Sequence, residues 1–208
     1  MSFLSPSDLD KPALRKALRE ARSREAAQLP KAGGTLATRF PEQLLPPEGG
    51  VLSGYVPIRD EIEPWSVMAG AKARGAILAL PVVVEDAGPL IFRQWDFSDP
   101  LEPGAFGIQV PSASAPEVEP DVLLIPLLGF DQFGERLGYG AGHFDRTLAA
   151  LRTKKSVLAV GLAYEVQRLF EVPTEPHDQR LDWIVTESAA YPAVRERGDR
   201  LVEPERSG

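Results

Sequence analysis

A single α/β domain of three layers, with helices on both faces of a mostly parallel sheet, is the architecture this sequence predicts. Short apolar runs alternate with segments of helical periodicity, the order that parallel sheets with crossover helices require. The runs Ala76 to Val84 and Val122 to Leu128 are apolar almost throughout, as strands covered on both faces are. The 208 residues, 43% hydrophobic and 25% charged, are enough for one sizeable core, so residues 1–208 are read as one domain.

The elements follow in order. A first helix is expected from about Ser7 to Leu29, because Leu14, Leu18 and Ala21 recur at i, i+4 and i+7 and because Asp10 with Pro12 suits a helix start. Gly33 to Gly50, rich in Gly and Pro, reads as a loop around a short helix, and Val51 to Val56 as a buried strand. Pro64 can open a helix through Trp65 to Arg74, before the strands Ala76 to Val84 and Leu90 to Trp95. Pro100 to Pro120 reads as a long loop. Val122 to Leu128 is a strand, Phe144 to Leu151 a helix, Ser156 to Leu162 a strand and Trp183 to Thr186 a last short strand. The polar tail from Arg195 to Gly208 is expected to fray, and no internal repeat is present.

Composition excludes several chemistries. With no cysteine there is no disulfide, thiolate nucleophile, iron–sulfur cluster or cysteine zinc site, and two histidines leave little for a transition metal. Any metal is expected to be hard and oxygen-bound. Thirty acidic against twenty-three basic residues give a net charge of −7, a field that repels polyanions and argues against general nucleic-acid binding. The apolar runs fall far short of the roughly 20 residues of a membrane span. The start lacks a basic region followed by an apolar one, so a cytoplasmic location is expected.

Lys11, Arg15, Arg19 and Arg22 fall at i, i+4, i+8 and i+11 and form a basic stripe on the first helix, either a solvated face or an anion clamp. Five glycines, at 129, 134, 138, 140 and 142, lie between an apolar strand and a helix. Glycine permits positive φ and close backbone approach, while a helix start offers free N–H groups and a positive dipole end, so the segment suits a phosphate. It matches neither the dinucleotide fingerprint nor the Walker loop. Asp145, in the first turn after these glycines, can cap the helix or hold Mg²⁺ beside a phosphate. Asp182, ahead of Trp183-Ile184-Val185, is either a second metal carboxylate or a loop residue before a strand. Glu61 and Glu63 stand after a buried strand, where open α/β sheets bind ligands, or serve as helix-start acids before Pro64. His177-Asp178 reads as a local hydrogen-bonded pair, and no Gly-x-Ser-x-Gly supports a hydrolase triad.

In this order the segments resemble the 5-formyltetrahydrofolate cyclo-ligase family, also called 5,10-methenyltetrahydrofolate synthetases. The matching pieces are Lys11-x-x-x-Arg15, Glu61-Ile62-Glu63, Phe106-Gly107-Ile108, Arg136-Leu137-Gly138-Tyr139-Gly140-Ala141-Gly142-His143-Phe144-Asp145-Arg146 and His177-Asp178-x-x-Leu181-Asp182. The resemblance implies an ATP- and Mg²⁺-dependent ring closure of 5-formyltetrahydrofolate to 5,10-methenyltetrahydrofolate, with ADP and phosphate released through a phosphorylated formyl intermediate. It implies a fold similar to the sugar-phosphate isomerase and CoA-transferase group. By position it puts ATP contacts on Lys11, Pro12, Ala13, Leu14 and Arg15 and on Arg136 through Phe144. Folate contacts fall on Val56, Glu61 and Tyr139 to His143, with Phe106 stacking near the pterin, and magnesium carboxylates on Asp145 and Asp182. Arg19 and Arg22 match no family contact and are expected to be dispensable. The chain departs from the family at His143-Phe144, where two tyrosines are usual, and at Gln109, where Glu is common. Small-molecule partners and a monomer are expected, without nucleic acid or membrane. A folate or nucleotide sensor without turnover, and a sugar-phosphate isomerase of related fold, are the alternatives.

Overall fold

Asp10 starts the first helix: its carboxylate accepts the Ala13 N–H at 2.9 Å, and Pro12 fits a first turn whose N–H groups have no helical partner. In this computed structural model, which describes residues 10–84 and 87–194, helix α1 runs over Lys11–Gln28. Ser7 to Leu9 and the tail from Arg195 lie outside the described residues. Helix α2 (Ala32–Arg39) and strand β1 (Val51–Ser53) follow, then α3 (Trp65–Ala73), β2 (Ile77–Val82) and β3 (Ile91–Gln94). Next come β4 (Leu101–Pro103), β5 (Gln109–Pro111), β6 (Val122–Pro126), β7 (Gly129–Phe130) and β8 (Arg136–Leu137). Helix α4 (His143–Arg152) and strands β9 (Leu158–Leu162), β10 (Trp183–Val185) and β11 (Ala190–Pro192) complete the order.

A seven-stranded sheet of order β11-β10-β9-β6-β1-β2-β3 organises the domain. Its five inner strands are parallel, and β3 and β11 add one antiparallel strand at each edge. Alternation along β6 shows why the run is apolar throughout: Leu124 enters the core beneath α2 and α3, while Leu123 and Ile125 enter the core beneath α4. All three are fully buried, so both faces of the strand are covered and the expected three layers are present. At the end of β1 the packing leaves no room for a side chain, since a Cβ on Gly54 would clash with Met68 Sδ of α3.

Several elements differ from the sequence expectation. The strands expected at 51–56, 76–84 and 122–128 end early, at Ser53, Val82 and Pro126. The stretch from Pro100 to Pro120 is not loop alone: β4 and β5 pair as a hairpin around a 3-10 turn at Ala105–Gly107. Trp183 to Thr186 is not the last strand, since β11 turns back on β10. Part of the glycine segment is itself a hairpin, β7 against β8. Among the described residues no helix is long and apolar enough to cross a membrane.

Candidate active site

The chain leaves β1 through α3 to β2 on one side, then returns to the other side of β1 for β6, which opens a crevice at the C-terminal ends of these strands. A cavity of about 660 Å³ occupies it, within the usual size for small-molecule sites. Tyr55 and Val56 after β1, Pro81 and Val83 at the end of β2, and Pro126 of β6 form its base. Helix α1, the glycine loop and the tip of the β4–β5 hairpin form its walls.

The basic stripe faces this cavity, with Lys11, Arg15, Arg19 and Arg22 all lining it. Lys11 Nζ pairs with Glu175 at 2.6 Å, and Arg15 Nε donates to the Gly138 carbonyl at 3.0 Å. Pro12, Ala13 and Leu14, also expected as ATP contacts, do not line the cavity. The helical repeat turns them away, and Leu14 packs with Leu18, Leu128, Leu137 and Val172 under α1. Arg22, expected to be dispensable, is not on a solvated face of the helix. It is 2% exposed, and its Nη2 lies 2.6 Å from Asp60 Oδ1.

Opposite α1, the backbone takes positive φ at Gly140 (104°) and Gly142 (69°), and Gly142 is the N-cap of α4 with no side chain capping the helix. A Cβ at Gly142 would lie 2.7 Å from Arg146 Nη1. Arg146 in turn holds the Ala141 carbonyl at 2.7 Å and the Gly88 carbonyl at 3.2 Å. The helix start therefore presents N–H groups and its positive dipole end to the cavity.

Asp145 lines this end but does not act as the cap. Its Oδ1 accepts from Arg136 Nη2 at 2.7 Å and from the Gln179 N–H at 2.9 Å, tying α4 to the loop before β10. The structure does not bring Asp182 to the same point. Asp182 lies outside the cavity lining, accepts the Ala159 N–H at 2.8 Å and pairs with Arg152 at 3.1 Å. Arg152 stands seven residues along α4 from Asp145, about 10 Å of helix rise. Glu63 is exposed and outside the lining, whereas Glu61 is 5% exposed and inside it.

The far end of the cavity is a hydrogen-bonded chain that links the buried Arg22 and Glu61 through the more exposed Tyr139. Arg22 donates to the Tyr139 hydroxyl, and that hydroxyl donates to Glu61 Oε1. Glu61 Oε2 accepts the Ile58 N–H at 2.9 Å. Burial pushes the Glu61 carboxyl above its ordinary value, against the pull of Tyr139, the Ile58 amide and Arg22, in that order. Burial likewise raises the Tyr139 phenol, helped by the neighbouring Glu61 charge. Phe106, 71% exposed, sits at φ 57° with its ring 6.5 Å from that of His143. His143 Nδ1 lies 3.1 Å from the Gly88 carbonyl, and its buried Nε2 has no hydrogen-bond partner among the described residues.

Of the expected residues, Val56, Glu61, Phe106 and the whole run from Arg136 to Asp145 line the one cavity with Lys11 and Arg15. Sequence reasoning missed Asp60 and the burial of Arg22. No local signal marks either, because they meet only when the loop after β1 reaches α1.

The model of the 5-formyltetrahydrofolate cyclo-ligase family matches residues 8–187. The chain belongs to the 5-formyltetrahydrofolate cyclo-ligase family. A cyclo-ligase of Mycolicibacterium smegmatis is 33% identical over 154 residues, covering 71% of this chain and 78% of that one. The Haemophilus influenzae cyclo-ligase is 40% identical over 93 residues, covering 43% of this chain and 49% of that protein. The solution structure of the Aquifex aeolicus 5,10-methenyltetrahydrofolate synthetase superimposes with a TM-score of 0.68 at 26% identity, over 94% of this chain and 97% of that one. As a cyclo-ligase family member the chain is a ligase, with the mostly parallel α/β fold of that structure.

Proposed function

We propose that the protein closes 5-formyltetrahydrofolate to 5,10-methenyltetrahydrofolate and converts ATP to ADP and phosphate in doing so. The observation that carries this reading is one cavity with two chemically distinct ends. Cations and the α4 N-terminus suit phosphates at one end, and the buried Glu61 carboxylate beside the Tyr139 hydroxyl suits the N–H groups of a pterin at the other.

A formamide oxygen is a poor leaving group. In the proposed sequence the formyl oxygen attacks the γ-phosphorus and ADP leaves. N10 then bonds to the activated carbon, and phosphate departs with the oxygen while N10 gives up its proton. The protein's part is to hold the two substrates in line and to balance charge, as in phosphoryl transfer generally. Arg15, Lys11 and the amides of the glycine loop hold the phosphates, and Phe106 covers the reacting region from the hairpin side.

Mg²⁺ fits this end. Among the described residues no group of three or more His, Cys, Asp or Glu could hold an ion, but Mg²⁺ needs only one or two carboxylates with phosphate oxygens and water. Asp145 is the carboxylate for it in this reading, and the ion when bound neutralises the phosphate oxygens during transfer. Asp182, which unlike Asp145 lies outside the cavity lining, has no role in the reading. One chain carries both ends of the cavity, so a monomer with two small-molecule substrates suffices.

The test is to incubate the protein with 5-formyltetrahydrofolate, Mg²⁺ and ATP, and to follow the methenyl chromophore and ADP together. Equal rates of appearance are expected. Binding of both ligands without product would favour the sensor. Product without nucleotide would refute phosphorylation.

A further inference from the structure

The chain of bonds at the folate end has a polarity that one residue imposes. A guanidinium carries only donors, so in the bond between Arg22 and Tyr139 the phenol oxygen must accept. The single hydroxyl proton of Tyr139 is then left for Glu61 Oε1, the bond observed. Arg22 Nη1 also lies 3.9 Å from Glu61 Oε1, with its guanidinium carbon 5.8 Å from the Tyr139 ring centre. Asp60 Oδ1 fixes the other side of the guanidinium, accepting from Nη2 at 2.6 Å and from Nε at 3.2 Å. Each bond constrains the next, and Arg22 and Glu61 are buried, so either left unsatisfied would be costly.

We propose that Arg22 is a positioning residue for the folate: clamped by Asp60, it directs the Tyr139 hydroxyl at Glu61 and keeps a preformed buried carboxylate for the N–H groups of the substrate ring. This deepens the proposed function, since it rests on Glu61 being a folate contact. A carboxylate as buried as Glu61 favours the neutral acid, which would present an O–H where the ring offers donors of its own. Arg22 supplies the opposing cation and the ordered donor. The alternative role is mechanical, with Arg22 merely joining α1 to the loop that follows β1.

Binding and pH dependence separate the two roles. The charged and titratable groups facing Glu61 are Arg22 from α1, Tyr55 and Asp60 from the loop after β1, and Tyr139 from the glycine loop. Removing the cation among them raises the Glu61 carboxyl. The acid limb of kcat/KM for the folate is therefore expected at higher pH in Arg22→Gln than in wild type. Calorimetric titrations of 5-formyltetrahydrofolate and of ATP, each alone, are expected to show at least a tenfold loss for the folate and less than a twofold change for ATP. Arg22→Lys keeps the charge without the fork, so its acid limb is expected near wild type with a smaller folate loss. Equal losses for both ligands with an unmoved acid limb, or no loss for either, would overturn the proposal. If Arg22→Gln does not fold, the Lys variant decides: a loss confined to the folate upholds the proposal, and an equal or absent loss refutes it. Wild-type protein that binds both ligands without turnover would sink the ring-closure reading and leave this one to the titrations.

Discussion

Arg15 joins the basic helix to the glycine loop: its Nε donates to the Gly138 carbonyl at 3.0 Å, and its Nη2 lies 3.7 Å from where a Cβ on Gly140 would stand. With Nε so used, the terminal nitrogens stay at the loop that would receive phosphate. Arg15→Ala is expected to raise the KM for ATP tenfold or more in steady-state assays. One lost hydrogen bond of about 1 kcal/mol should lower Tm by only about 2–4 °C. Arg24→Ala, on an exposed part of α1 outside the cavity lining, serves as the control and should match wild type.

Asp145→Asn separates ion holding from loop tying. The amide oxygen can still accept the Gln179 N–H, but the charge facing Arg136 is gone. A fall in kcat of a hundredfold or more is expected, with partial rescue at high Mg²⁺ and a Tm loss of a few degrees in thermal melts. An Asn variant with wild-type turnover at limiting Mg²⁺ would dismiss the metal assignment.

For Asp182→Asn the expectation is the reverse. Its carboxylate serves the Ala159 amide and Arg152, so about 1–2 kcal/mol of stability is at stake. Melting should be lowered while the Mg²⁺ dependence of turnover stays that of wild type. A raised Mg²⁺ requirement would show that the two carboxylates serve one ion after all.

Phe106 holds a left-handed φ of 57° on a mostly exposed side chain, so little of its burial repays the backbone cost. Phe106→Gly is expected to leave Tm unchanged or slightly higher while raising the folate KM about tenfold. Unaltered folate kinetics would remove the ring from the site.

What could be read from the sequence depended on how local its cause was. The runs containing Leu80 and Leu124 were legible as buried strands because burial on both faces demands apolar residues at consecutive positions. Asp10 and Pro12 marked a helix start through bonds within one turn. Strand β11 was not legible, because Ala190-Tyr191-Pro192 has no alternation and pairs only by virtue of the preceding turn. The β4–β5 hairpin was hidden for a like reason: prolines stand at Pro103 and Pro111, positions that an edge pair tolerates and a central strand does not. At the site, the glycine run and the Lys11-to-Arg15 spacing are contiguous and were legible. The burial of Arg22 was not, since helical spacing gives it the same polar stripe as Arg19, and Asp60 covers it from 38 residues away.

The first half of α1 rests on little apolar contact of its own. Leu14 and Leu18 share a small cluster with Leu128, Leu137 and Val172, apart from the two cores that sandwich the sheet. Regions held by few apolar contacts open at a lower free energy than the global unfolding of the domain. The amides from Leu14 to Leu18 are thus expected to exchange with deuterium faster than those of β6 and β9. Saturating nucleotide should slow them more than it slows the sheet, so in the proposed reading the wall that would grip the phosphates is also the part of the molecule whose breathing would report their arrival.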